Sequence, residues 1–170
     1  MNLDNARAEP MKIVFITTGG TIDKIYFDRK NRFEVGDPQM GEMLCEANVT
    51  LDYEIIPLLQ KDSLDFGEAD RRLILETVRK SPHRHFVITH GTDTIIETGR
   101  VLLEAPGNTI VLTGAMQPAR FRFTDAVFNI GTAVSAVQFL DQGVYIAMNG
   151  RIFRPENAWK NVEKNRFEEI

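Results

Sequence analysis

A chain of 170 residues with 43% hydrophobic and 26% charged residues has the make-up of one globular domain, long enough to bury a core without disulfides or metals. Its 20 basic and 24 acidic residues give a net charge of −4, which excludes the basic stripe that a phosphate backbone demands, so no nucleic acid is expected as partner. The single cysteine excludes an internal disulfide framework, and the most apolar stretch, residues 126–140, is too short and polar to span a bilayer, so no membrane partner and a cytoplasmic location are expected.

The first ten residues, MNLDNARAEP, are polar and lack the order of regions of a signal peptide. They read as a flexible arm, residues 1–10, ahead of one domain, residues 11–170. Residues 12–17 (KIVFIT) are a β-rich apolar run that leaves through Thr-Thr-Gly-Gly-Thr, a buried strand entering a glycine turn. Residues 22–36 are charged and aromatic without steady period, which predicts a surface loop or loose hairpin with the character of a flap. Residues 39–47 predict a short helix with Pro38 at its start, and Cys45 in that apolar-periodic stretch reads as a packing residue. A second strand follows at 52–59, then a helix near 67–81 with Ala69, Leu73, Ile74, Thr77 and Val78 on one face. Residues 85–90 (HFVITH) are a third strand ending at Gly91. Asp93 opens a helix whose Ile95, Ile96, Gly99, Leu102 and Leu103 share a face. Residues 109–113 give a fourth strand and 143–148 a fifth. Between them, 124–141 is a helix apolar nearly all round, which predicts deep burial or a subunit interface.

Strands and helices alternate, and several strands are short and apolar on both faces. The expected fold class is therefore α/β: a single domain with a doubly wound, mainly parallel sheet and helices on both faces, Rossmann-like or flavodoxin-like. Such sheets bind ligands outside the carboxyl ends of their strands. Those positions hold Thr21, Ser63, Thr92 and Asp93, with Lys160 in the tail. Thr17-Thr18-Gly19-Gly20-Thr21 and His90-Gly91-Thr92-Asp93-Thr94 repeat one theme, a threonine beside glycine just after a buried strand. Glycine lets a ligand approach the backbone, and the N–H groups that follow can face a carboxylate or an oxyanion. Taken singly, each feature has a plain structural reading: a tight strand exit, a helix N-cap pair, a turn serine, a solvated lysine. Their joint placement makes the functional reading the stronger one.

Here the sequence resembles a known family. Thr18-Gly19-Gly20-Thr21-Ile22 is similar to the first signature of the bacterial-type L-asparaginases, which use a threonine nucleophile, and His90-Gly91-Thr92-Asp93-Thr94 to the second. Gly114-Ala115-Met116 with Pro118 matches the family's next strand exit, where arginine is common at the place of Gln117. Asp62-Ser63-Leu64-Asp65 resembles its substrate loop, and Met148-Asn149 followed by Lys160 keeps the spacing to its catalytic lysine. The resemblance runs from about Lys12 to about Asn165 and is to short-chain members without the family's C-terminal domain.

The resemblance implies hydrolysis of L-asparagine to L-aspartate and ammonia by a covalent acyl-threonine double displacement. Thr21 would be the nucleophile, supported by Thr92, Asp93 and Lys160. Gly20, Asp62, Ser63, Gly91, Thr92, Asp93 and Ala115 would bind the substrate, with Asp93 on its α-ammonium and Ser63 on its α-carboxylate. A threonine hydroxyl is too weakly acidic to attack an amide unaided, so a base is needed. Lysine serves only if burial lowers its pKa from about 10.4, while Asp93 pulls the other way; the two are expected to titrate as a pair. The family's flap carries a tyrosine that helps activate the nucleophile. Tyr26 takes that role here as the only tyrosine in residues 22–36, although Phe33 stands where the family places its own.

Two departures carry consequences. Without a C-terminal domain one contact to the α-ammonium is missing unless Asp65 or a partner chain replaces it. Leu64 stands where glutamine is frequent, which bears on the choice between asparagine and glutamine. The resemblance also implies a homo-oligomer, dimer or tetramer, with L-asparagine as the small-molecule partner. No metal or organic cofactor is expected, since His83, His85 and His90 form no ligand set. A nucleotide-binding module is disfavoured, because Gly19-Gly20-Thr21 has neither the spaced glycines of a dinucleotide site nor the lysine of a phosphate loop. An amidase component of a transfer-RNA amidotransferase would need a nucleic-acid docking surface. The remaining alternative is a non-catalytic amino-acid sensor or interaction module of the same fold.

Overall fold

Each of the five expected strands is a strand of one sheet in the structure, a computed structural model that describes residues 11–27 and 32–170. The expected arm, residues 1–10, lies outside them. The elements in chain order are β1 (Lys12–Gly19), a hairpin of β2 (Lys24–Phe27) and β3 (Arg32–Val35), α1 (Met40–Glu46), β4 (Asp52–Lys61), α2 (Glu68–Lys80), β5 (His85–Thr89), α3 (Ile95–Leu102), β6 (Thr109–Thr113), α4 (Ala126–Phe139) and β7 (Gly143–Met148). Three short strands follow: β8 (Arg151–Phe153), β9 (Ala158–Asn161) and β10 (Arg166–Glu169).

The main sheet runs β4-β1-β5-β6-β7-β8, parallel except for β8, and β9 and β10 form a separate antiparallel ribbon. Strands β1, β5, β6 and β7 are buried on both faces, which is why they read as unbroken apolar runs. One face carries Val14, Ile16, Phe86, Ile88, Ile110 and Leu112 in one core with Ile74, Leu75, Val78, Ile95 and Leu102 of α2 and α3. The other carries Ile13, Phe15, Val87 and Val111 in a core with Met40 and Leu44 of α1 and Ile130, Ala133 and Val137 of α4. The doubly wound expectation is met. Each fully buried Ile, Leu or Phe stabilises the fold by about 1.5–3 kcal/mol, whereas surface ion pairs such as Arg72–Glu104 are screened by solvent and contribute little. The two helix layers therefore hold the sheet. Edge strand β4 is only half-buried and tolerates Pro57, with a register irregularity opposite Thr17–Gly19.

Several local expectations shift. The buried face of α2 is Ile74, Leu75 and Val78, with Leu73 and Ala69 turned outward; three successive apolar residues, 73–75, leave the face ambiguous in sequence. Helix α3 starts at Ile95, not Asp93, and buries Ile95, Thr98, Gly99 and Leu102 while Leu103 is exposed. Cys45 is exposed, because α1 is a short helix that buries only Met40 and Leu44. Helix α4 is not deeply buried: its inner side holds Ala126, Asn129, Ile130, Ala133 and Val137, and Val127, Phe128 and Phe139 are 57%, 62% and 84% exposed. The loose hairpin of residues 22–36 is realised in β2 and β3. Strands β8 to β10 were not anticipated, since RIF, AWKN and RFEE are too short to show a period. No helix among the described residues is long and apolar enough to cross a membrane.

Candidate active site

The chain leaves β1 to build β4 on one side, and β5 pairs with β1 on the other. A crevice opens at such a switch, outside the carboxyl ends of the two strands. Thr21 follows β1 and Thr92 follows β5, so both threonines flank it.

Glycine makes that juxtaposition possible. Gly20 holds φ 90°, a conformation L side chains rarely adopt, and a Cβ there would lie 2.5 Å from the Cα of Gly91. A Cβ on Gly91 would in turn collide with the Ser63 hydroxyl. Three strand exits thus meet backbone to backbone, and the Gly20 N–H donates to the Lys61 carbonyl at 2.9 Å. Thr21 opens a single 3-10 turn, Thr21–Asp23, and is half-buried. Ser63 opens another, Ser63–Asp65; it is fully buried, and its hydroxyl has no partner among the described residues. A buried hydroxyl at a strand end is well placed to bond a polar ligand group.

Lys160 comes from β9 and completes a cluster across the crevice. Its Nζ donates to Thr92 Oγ1 at 2.8 Å and to Asp93 Oδ1 at 2.7 Å. Thr92 is buried, whereas Asp93 is open to solvent on one side and remains free to meet a cation. The ribbon is fastened from below: Asn149 Oδ1 accepts the Phe167 N–H at 2.9 Å, and Arg100 Nε donates to the Pro155 carbonyl at 3.2 Å.

Other expected residues lie around this centre. Asp62 is a turn cap: its carboxylate accepts the Leu64 N–H at 3.2 Å and pairs with Lys24 Nζ at 2.7 Å. Partial burial pushes its pKa up, but the Lys24 bond and the Leu64 and Ser63 N–H groups outweigh it and hold the carboxyl below the usual range. Ala115 is buried in the core beside α4. Tyr26 sits on the flap opposite Phe33, ring centroids 5.4 Å apart, and is 49% exposed; Phe33 in turn stacks on Phe121 at 5.9 Å.

Residues to which the sequence reading gave no catalytic or binding role hold the site in shape. Asp125 accepts the Met116 and Gln117 N–H groups, and Asn129 donates to the Gly114 carbonyl at 3.0 Å while accepting the Asn149 N–H at 3.2 Å. An asparagine among the buried residues of α4 is a legible signal for such a brace. His90 is fully buried, with Nδ1 2.8 Å from the Gly91 carbonyl and Nε2 2.8 Å from Thr98 Oγ1. A carbonyl only accepts, so Nδ1 carries the proton and Nε2 accepts from the threonine. Burial pushes its pKa down to about 4, so it is a neutral brace at physiological pH. Among the described residues no cluster of His, Cys, Asp and Glu could hold a metal ion.

Comparison with known proteins spans the whole segment that holds these residues. The family described as asparaginase, N-terminal, matches residues 12–168. The chain is 30% identical over 156 residues to an L-asparaginase of Bacillus licheniformis, covering 84% of this chain and 47% of that protein. It is 38% identical over 150 residues to an L-asparaginase of Thermococcus kodakarensis, covering 84% and 45%. The solved structure of the thermostable L-asparaginase from Thermococcus kodakarensis superposes with a TM-score of 0.81 at 27% identity, over 94% of this chain and 51% of that one. The chain spans about half the length of the relatives it matches. With the glycine-threonine exits, the lysine ribbon and a match along nearly the whole sheet in agreement, the chain belongs to the asparaginase N-terminal family.

Proposed function

We propose that the protein hydrolyses the side-chain amide of L-asparagine to L-aspartate and ammonia through an acyl-threonine intermediate. The observation that carries this reading is Lys160 Nζ held between Thr92 Oγ1 and Asp93 Oδ1 at 2.8 and 2.7 Å, at the strand exit whose Gly91 packs against Gly20 beside Thr21. Thr21 Oγ attacks the amide carbon as its proton passes to the Lys160 amine by way of Thr92 Oγ1. The same proton is then given to the leaving nitrogen, which departs as ammonia as the C–N bond breaks and the Thr21 ester remains. Water activated by Thr92 and Lys160 then attacks the ester, and the threonine hydroxyl is restored. Backbone N–H groups at the two glycine exits receive the oxyanion. Asp93 takes the α-ammonium, the buried Ser63 hydroxyl takes the α-carboxylate, and Gly20, Gly91 and Ala115 shape the wall. Asp62 supports Ser63 through its turn rather than by direct contact, since Lys24 and Leu64 already occupy its oxygens. Tyr26 on the flap assists Thr21 and excludes water.

The exposed face of α4 supports a homo-oligomer. Phe123, Val127, Phe128 and Phe139 are all more than half exposed, and no residue of the helix AVFNIGTAVSAVQF is charged, so a second copy would cover it without burying an unpaired charge. A cytoplasmic setting fits an exposed free thiol at Cys45.

The test is ammonia release from L-asparagine by the purified protein beside Thr21→Ala. Release abolished in the variant, with circular dichroism unchanged, supports the proposal. Undiminished release in Thr21→Ala moves the nucleophile to Thr92. Tight L-aspartate binding without any release replaces the enzyme with a sensor.

A further inference from the structure

The turn that carries Thr21 also carries a buried acid that the reaction above does not use. Asp23 closes the 3-10 turn and is 2% exposed. Its backbone N–H donates to the Gly20 carbonyl at 3.2 Å, which shuts the turn around Thr21. Its carbonyl accepts the Gly36 N–H at 2.8 Å, and its Oδ1 accepts the Gln39 N–H at 2.9 Å. The flap hairpin leaves the body at Lys24 and returns at Gly36. One residue therefore continues covalently into the departing strand, holds the returning chain at Gly36 through its carbonyl, and holds the N-cap of α1 at Gln39 through its carboxylate. Gln39 extends the brace, since its Oε1 accepts from Arg120 Nε at 2.9 Å and Ala119 N–H meets the Ile22 carbonyl at 3.0 Å.

We propose that Asp23 is a positioning residue, whose carboxyl pins the start of α1, three residues past the flap's return at Gly36, to the turn that carries Thr21 and so steadies the approach of the flap to Thr21. This rests on the asparaginase reading for its kinetic consequence, but its structural part stands apart from it. The segment between Asp23 and Gln39, which includes the flap, cannot pivot at its far end without breaking the carboxylate bond to Gln39, and a misplacement of about 1 Å at a reacting group costs about a hundredfold in rate. The second oxygen, Oδ2, is buried without a partner among the described residues. Oδ1 alone does the pinning, so a neutral side chain with a carbonyl oxygen in the same place, asparagine, keeps the pin. Alanine removes it.

The experiment compares wild type, Asp23→Asn and Asp23→Ala by steady-state ammonia release and by hydrogen–deuterium exchange at Gly36 and Gln39. For Asp23→Ala the expected result is a kcat lower by about ten- to a hundredfold with a smaller change in KM, and Gln39 exchange faster by about tenfold, the worth of one hydrogen bond. Asp23→Asn is expected to restore both to within about threefold, well inside a single hydrogen bond's worth. Unchanged Gln39 exchange and kcat in Asp23→Ala overturn the proposal. So does an asparagine variant as impaired as the alanine one, because the charge and not the pinning oxygen would then matter. Should wild type release no ammonia, the asparaginase reading fails, while the exchange comparison still decides whether Asp23 holds the flap.

Discussion

Replacing Asp23 with asparagine should stabilise the protein at neutral pH and leave it unchanged in acid. Burial raises the Asp23 pKa from 3.8 to about 6, partly offset by the Gln39 N–H. No charged side chain bonds its oxygens among the described residues: Lys24 is engaged by Asp62, and Arg120 by the Gln39 side chain. Between pH 4 and 6 the folded state holds a proton that the unfolded chain has released. Stability from this group therefore falls as pH rises through that window and stays low above it. Two pKa units correspond to about 3 kcal/mol at most. Asparagine resembles the protonated acid, so the variant should match wild type near pH 4 and exceed it by up to about 3 kcal/mol at pH 8. For a domain of this size that is a rise in Tm of about 6–12 °C. Urea unfolding of both proteins at pH 4.5, 6 and 8 measures the gap. A gap that is the same at all three values refutes the reasoning, since a pH-independent gain would not come from a buried charge.

Three further outcomes are expected. Lys160→Met, which keeps the length of the side chain and removes its ammonium, should lower kcat about 10²–10⁴-fold with unfolding midpoints nearly unchanged; kcat within twofold of wild type would remove Lys160 from the reaction. Gly91→Ala would thrust a methyl group into Ser63, and the strain of overpacking predicts a loss of about 1–3 kcal/mol in thermal unfolding together with a raised KM; an unchanged KM would detach Ser63 from substrate binding. Phe128→Glu, on the exposed face of α4, should shift the mass seen by light scattering toward the single chain; an unaltered mass would place any interface elsewhere.

The sheet was legible because β1, β5, β6 and β7 are covered on both sides, so each is a short apolar run between turns. Helix faces were less so. In α2 the triplet Leu73-Ile74-Leu75 offers two faces of equal apolarity, and only the neighbouring β-strand chooses. The two threonine exits and Lys160 stand out through signature resemblance. Spacing alone does not reveal that residues 92 and 160 are 2.8 Å apart through a side-chain bond. Asp23 was invisible for a different reason: a charged residue beside a turn reads as a solvated one, and its partner Gln39 lies 16 residues further on. Likewise β9 is too short to announce itself, although it carries the lysine.

That lysine rides on a strip of chain set apart from the main sheet. A two-stranded ribbon is marginal by itself, and this one is moored by Asn149, by the Ile170–Asn157 backbone bond and by the seat of Pro155 on Gly99. The smallest unit whose opening disarms the molecule is thus far smaller than the unit whose melting unfolds it. On gentle heating, ammonia release should fade while the circular dichroism of the sheet is still intact, and recover at once on cooling.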